Sequence, residues 1–249
     1  MGHRNLVQTD ILRSYLIVNR NIIGTTTEVI AKKKETAFTI DDSTNASFEA
    51  AVLFAELNIP CIWFVNGSNI VENRPYSFAY LNELMNRCGD SIMFNDRTIN
   101  SDCFLAKKRI RKDIKEFMHL NLPSEELRLN FLNKMIENNH IHNFEIPEYA
   151  KQITLKEMVS LNGSSVRVMN HLWEHNFTDL VEIEILKENI MKGKNWLQTY
   201  LDYPINELAL PYGLYSESLR NLTSDTIYLL DNNYDIGEVI PNVINRIAF

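Results

Sequence analysis

The sequence predicts an α/β fold built on a parallel sheet, and three observations carry that prediction. Residues 60–66, Pro-Cys-Ile-Trp-Phe-Val-Asn, form an unbroken apolar run of strand length, the pattern of a strand covered on both faces. Together with residues 36–58 this run makes a strand–helix–strand unit of the length a parallel crossover needs. Three strand patterns also end in chemistry-bearing side chains: Asp41-Asp42, then His171 and His175, then Pro211-Tyr212-Gly213. Ligand sites in parallel α/β sheets lie at the carboxyl ends of the strands.

In chain order, Ile11 to Val18 and Ile22 to Ile30 read as short strands or a strand–helix pair, followed by a solvated turn at Lys32-Lys33-Lys34-Glu35. Thr36 to Asp42 is a strand. Ser47 to Asn58 repeats apolar residues at helical spacing, with a cap in the Asn45/Ser47 region. A segment at about 67–160 then interrupts the sheet, longer than an ordinary connection. It carries helical patterns at Ser77–Cys88, Lys107–His119, Ser124–Asn138 and Thr154–Leu161, the last two opening on a capping residue. It reads as a mostly helical insertion on the site-bearing face of one domain spanning residues 1–249. The sheet resumes at Ser164–Asn170, Glu207–Leu210 and Thr226–Asp231, with helices expected at Val181–Tyr200 and Ser216–Leu222. The tail, Val239 to Phe249, contains Pro241 and Arg246.

Composition excludes several functions. The 249 residues carry 25 Lys and Arg against 32 Asp and Glu, a net charge of −7, so no basic surplus points to nucleic acid. Only 8 residues are Gly, and neither a dinucleotide nor a P-loop phosphate motif occurs. Cys61, Cys88 and Cys103 are an odd, widely spaced set, which favours a reducing compartment. No apolar stretch has the length of a leader core or a membrane span, so a cytoplasmic protein is expected.

The chemistry starts at Asp41-Asp42. Two adjacent carboxylates at a strand end repel unless a positive partner sits beside them. His171 and His175 are the sequence's other ligand-type pair. Asp, His and His suit a borderline divalent metal, zinc above all, with positions left open for water and substrate. Trp173, between the histidines, is a candidate wall of the substrate site. His171-Leu172-Trp173-Glu174-His175 also fits the H-x-x-E-H metalloprotease pattern, in which Glu174 would be the base and both histidines would lie on one helix.

Thr39-Ile40-Asp41-Asp42-Ser43 resembles the TFDDG motif of the polysaccharide deacetylase superfamily, the nodulation-factor and chitin deacetylase type of carbohydrate esterase. Asn170 to His175 resembles its NH[ST]xxH motif, Leu208 to Gly213 its RPPYG motif, and Ile59 to Val65 the IPATFFV strand that follows the first motif. The resemblance implies a distorted, incomplete (β/α) barrel of about seven strands. It implies that Asp42, His171 and His175 hold the metal and that Asp41 is the general base taking a proton from water. It gives the Tyr212 backbone N–H as donor to the developing oxyanion, and places Pro211 and Tyr212 against substrate. The implied reaction is hydrolysis of an N-acetyl group on a carbohydrate, fitting a lipid- or nucleotide-linked sugar met inside the cell during surface polysaccharide assembly. This sequence departs from the pattern at four places. Ser43 replaces Gly, Leu172 replaces Ser or Thr, and Ala209 replaces the Arg that orients the base. No His follows His175 to act as general acid, which leaves His140 or His142 of the insertion as candidates. The two last departures define a further alternative, a catalytically impaired sugar-binding relative.

Overall fold

The computed structural model describes residues 9–213, 222–230 and 243–246. The chain opens with helices α1 (Thr9–Asn19) and α2 (Thr26–Ile30). Ile11 to Val18 is therefore helical, not extended. Its apolar residues do not alternate between two faces: Leu16 is buried while Ile11, Ile17 and Val18 face outward. Only a single parallel bridge, Ile23 to Thr36, gives this region strand character. A capping box at Thr25 and Glu28 starts α2.

Strand β1 (Phe38–Asp41), helix α3 (Asn45–Glu56) and strand β2 (Cys61–Val65) form the expected unit. Thr44 caps α3, its hydroxyl accepting from the Ser47 N–H at 3.2 Å. Every residue of β2 is buried, as its unbroken apolar run requires.

Helices α4 (Gly67–Val71) and α5 (Ser77–Arg87) lead into a hairpin, β3 (Ser91–Phe94) and β4 (Arg97–Asn100). Asn95 and Asp96 at its tip both take positive φ, 50° and 57°, the conformation two-residue hairpin turns demand. Helices α6 (Phe104–Asn121), α7 (Glu125–Asn138) and α8 (Leu155–Ser160) follow. Leu84, Ile92, Ile114 and Leu132 belong to an apolar cluster drawn from α5, β3, α6 and α7, separate from the core under the main sheet.

Strand β5 (Val166–Asn170), helix α9 (Ile183–Tyr200) and strands β6 (Glu207–Ala209), β7 (Thr226–Leu230) and β8 (Val243–Arg246) complete the described chain. The main sheet runs β1-β2-β5-β6-β7-β8, all parallel. Among the described residues it has six strands, and its last strand lies in what the sequence presented as a tail. The helix expected at Ser216–Leu222 falls outside the described residues except for Leu222.

The sheet curls. Phe64 on β2 and Tyr228 on β7 face one another with ring centroids 5.0 Å apart although two strands separate them. β1 and β8 are opposite edges, yet Arg246 on β8 hydrogen-bonds Thr39 and Asp41 on β1. The result is an incomplete, distorted (β/α) barrel with helices outside it. Among the described residues no helix is long and apolar enough to cross a membrane.

Candidate metal centre and catalytic groups

Three of the parallel strands end in a residue with left-handed backbone: Asp42 after β1 (φ 71°), Leu172 after β5 (φ 69°) and Tyr212 after β6 (φ 59°). Such a conformation is uncommon for Asp and strained for Leu and Tyr, and it persists only where the surroundings enforce it. Trp63 Nε1–H donates to the Asp42 carbonyl at 2.7 Å, and the Ser47 hydroxyl donates to that of Asp41 at 2.8 Å. Asn66, at the end of β2, ties the neighbouring turns together. Its amide donates to the carbonyls of His171 and Leu172, and its Oδ1 accepts from the Tyr76 hydroxyl, which in turn accepts from the Ser43 N–H at 2.8 Å. Ser43 is fully buried, and its hydroxyl accepts from the Asn66 N–H at 2.9 Å, an interaction glycine could not make.

These turns bring Asp42, His171 and His175 together, one donor atom of each lying within 4.8 Å of the others. His171 Nε2 is 3.6 Å and His175 Nε2 3.3 Å from Asp42 Oδ1. Donors about 2.0–2.1 Å from a tetrahedral ion lie about 3.3 Å apart, so the set matches a small divalent cation. His171 Nδ1–H donates to the Ala209 carbonyl at 2.9 Å, which fixes its tautomer and leaves Nε2 as the ligand atom. Burial, the charge of Asp41 and that of Glu125 push the Asp42 carboxyl well above the usual carboxylate range. Burial pushes both imidazoles down, His175 furthest. Asp42 Oδ1 and His175 Nδ1 are buried without a hydrogen-bond partner. Asp42 Oδ1, partnerless and facing both Nε2 atoms, is the polar atom that a cation held among the three donors would satisfy.

Asp41 is held apart from this set. Both its oxygens accept from Arg246, Oδ1 at 2.6 Å and Oδ2 at 2.8 Å, in a bidentate pair. The guanidinium packs over the Phe64 and Tyr228 rings and donates to the Leu229 carbonyl. Burial by itself would raise the Asp41 pKa; Arg246 and His171 outweigh it and hold the carboxyl below its ordinary range. The guanidinium missing at position 209 is thus supplied from β8, and Ala209 contributes its carbonyl to His171 instead. Arg246 was visible in the sequence as a lone tail cation, with no motif around it.

Aromatic rings enclose His175. Tyr212 lies 4.7 Å from it, Tyr76 5.1 Å and Phe78 5.9 Å, and Phe177 stacks on Tyr212 at 4.3 Å. Pro211 is buried in the turn that positions Tyr212. Trp173 is placed elsewhere: its indole covers Gly67, meets Trp196 at 5.8 Å and lies under Lys192. The insertion also reaches the centre. Arg128, fully buried, donates to the His175 carbonyl at 2.5 Å, to those of Leu122 and Pro123, and to Glu125 Oε2. Glu125 in turn accepts from the Ser77 N–H and hydroxyl.

Two expectations are corrected. His140 and His142 are exposed beyond the far end of α7, whose 14 residues extend about 20 Å from the Glu125 end that meets His175, so neither is the general acid. Residues 171–182 contain no helix, so the H-x-x-E-H geometry does not form. Glu174 instead accepts from the Asn176 amide at 3.0 Å.

No family model matches the sequence, and no curated protein matches it at a significant level. Solved structures do. The chain is similar to the Streptococcus pyogenes deacetylase PplD in complex with acetate, with a TM-score of 0.52 and 11% identity over 89% of this chain and 70% of that one. It is similar to a de-N-acetylase from Aggregatibacter actinomycetemcomitans, with a TM-score of 0.51 and 10% identity over 100% of this chain and 87% of that one. With its curled parallel sheet, the chain shares the fold of these two solved deacetylase structures.

Proposed function

We propose that the chain is a metal-dependent hydrolase that removes an N-acetyl or related N-acyl group from a sugar or glycan precursor, in the assembly of a surface polysaccharide and on a substrate met in the cytoplasm. The observation that carries this reading is the convergence of Asp42, His171 and His175 donor atoms beside a separately held carboxylate, Asp41. A divalent ion, zinc by the donor set, would be held by those three residues and would supply Lewis acidity to water and to the acyl carbonyl. Asp41, kept ionised by Arg246, is the base that accepts the proton of the attacking water. The Tyr212 N–H, aimed by its left-handed turn, is the donor for the oxyanion. The Tyr76 ring, fully buried, shields His175 from water, and the partly exposed Phe78 and Tyr212 rings offer apolar faces to a sugar. The impaired-relative reading rested on a missing Arg and a missing His, and Arg246 weighs against the first ground.

The test is acetate release from N-acetylated sugars by metal-loaded protein. Asp41→Asn is expected to lose about 10²–10⁴-fold in kcat. Asp42→Ala should lose bound metal as well as activity, whereas Glu174→Gln should keep both. Protein that holds no stoichiometric metal and releases no acetate would overturn the reading.

A further inference from the structure

We propose that Arg111 and Lys115 of α6 form an anion-binding subsite at the mouth of the candidate active site, so that the sugar acted on carries an anionic substituent, a phosphate ester or a carboxylate. This rests on the hydrolase reading and deepens it. Residues 111, 115 and 119 succeed one another at four-residue spacing and share one face of α6. That face borders the site. Lys115 Nζ lies 5.5 Å from the centre of the Tyr212 ring, whose other contacts include His175. The His119 ring packs on Phe177 at 4.6 Å, and Phe177 stacks on Tyr212. Arg111 is anchored through Nε to Asn82 Oδ1 at 2.6 Å, which leaves its terminal nitrogens to a ligand.

Several basic side chains around the two cations have a partner, whereas Lys108, Arg109 and Lys112 of α6, like Arg111 and Lys115, form no ion pair among the described residues. Arg74, Arg87 and Arg128 each pair with a glutamate, His119 pairs with Asp179, and Lys107 donates to the Cys88 carbonyl. Among the described residues no carboxylate lies within ion-pair range of Arg111 or Lys115. Partial desolvation first, and the charge of Arg111 second, push the Lys115 ammonium below its ordinary range, consistent with two cations sharing one place. The chain as a whole is acidic, with a net charge of −7, while residues 107–115 of α6 concentrate six Lys and Arg against one Asp beside the site. One aromatic ring separates Lys115 from His175. The anion therefore belongs to a part of the substrate remote from the acyl group and raises affinity, not the rate of the chemical step.

The test is calorimetric titration of zinc-loaded protein with three ligands: N-acetylglucosamine, its 1-phosphate, and an N-acetylhexosaminuronate. The proteins compared are wild type, the double variant Arg111→Gln/Lys115→Gln, and Arg109→Gln, which removes one positive charge on the far side of α6. At least one charged sugar is expected to bind about tenfold or more tighter than the neutral one. That gap should close in the double variant, persist in Arg109→Gln, and shrink with salt; whichever charged sugar is preferred identifies the source of the anion. Equal binding of charged and neutral sugars, no binding of any, or a gap that survives the double variant overturns the proposal. Acetate release from the same sugars separates the two readings. A gap that closes with no acetate from any sugar keeps the subsite and removes the hydrolase. Acetate released with equal kcat/KM from charged and neutral sugars does the reverse.

Discussion

At the scale of single residues, the pair formed by Arg246 and Asp41 carries the proposed chemistry. The guanidinium opposes the effect of burial and keeps Asp41 ionised. Removing it by Arg246→Gln raises the Asp41 pKa, so the base becomes protonated at higher pH. The acid limb of the kcat/KM profile should therefore move to higher pH, with the loss largest in acid and smallest on the alkaline side. An unmoved limb would separate Arg246 from the base. The same sign governs stability. A carboxyl whose pKa is depressed on folding stabilises the native state above the ordinary carboxylate range and loses that contribution as pH falls through it. Arg246→Gln should accordingly melt with a shallower dependence on pH in acid. The candidate metal ligands and the proposed base stood out in the sequence because their spacing sits on short motifs. Arg246 was not, because its partner lies 205 residues away and no local pattern records the pairing. Asn66 and Tyr76 escaped for the same reason: an Asn after a buried strand and a Tyr before a helix gain meaning only once three strand ends meet.

At the scale of elements, helices whose caps are written in the sequence were readable, as Ser124 before α7 and Thr154 before α8 show. The α1 segment was not, because its apolar residues fit either period until packing chooses a face. β8 is four residues long and was hidden in a tail with no strand-end motif to mark it. The insertion's helices were legible, but not their tie to the site. Arg128 on α7 holds the carbonyl of His175 from inside a buried ion pair, so α7 clamps the loop after β5. Arg128→Met strands Glu125 without its partner and should cost about 3–5 kcal/mol, a drop in Tm of roughly 6–20 °C. The double variant Arg128→Met/Glu125→Gln should recover part of that loss but not the metal affinity, which zinc titration would read. α9 approaches the same loop so closely that a Cβ at Gly193 would lie 2.9 Å from the Trp173 nitrogen and 3.0 Å from the Leu172 carbonyl carbon. Because backbone must move, Gly193→Ala should destabilise by about 1–3 kcal/mol, measurable by denaturant unfolding.

For the whole molecule, the site exists only when the sheet is curled, since its ligands and base come from β1, β5 and their following turns while the partner of the base comes from β8. An ion bound by Asp42, His171 and His175 therefore stabilises the entire half-barrel. Metal at about a hundred times its Kd should add about 2.7 kcal/mol and raise Tm by roughly 5–11 °C over chelator-treated protein. A melting temperature indifferent to zinc would mean that the three donors do not bind it. The contact between the two edge strands also has a consequence in time. A ribosome adding about 5–20 residues per second takes about 10–40 s to travel from Asp41 to Arg246. Throughout that interval the emerging chain carries two adjacent carboxylates without the guanidinium that quiets one of them. The edge-to-edge contact of the half-barrel thus forms only after its last described strand has left the exit tunnel, so on the proposed function the order of synthesis would keep unfinished chains inactive.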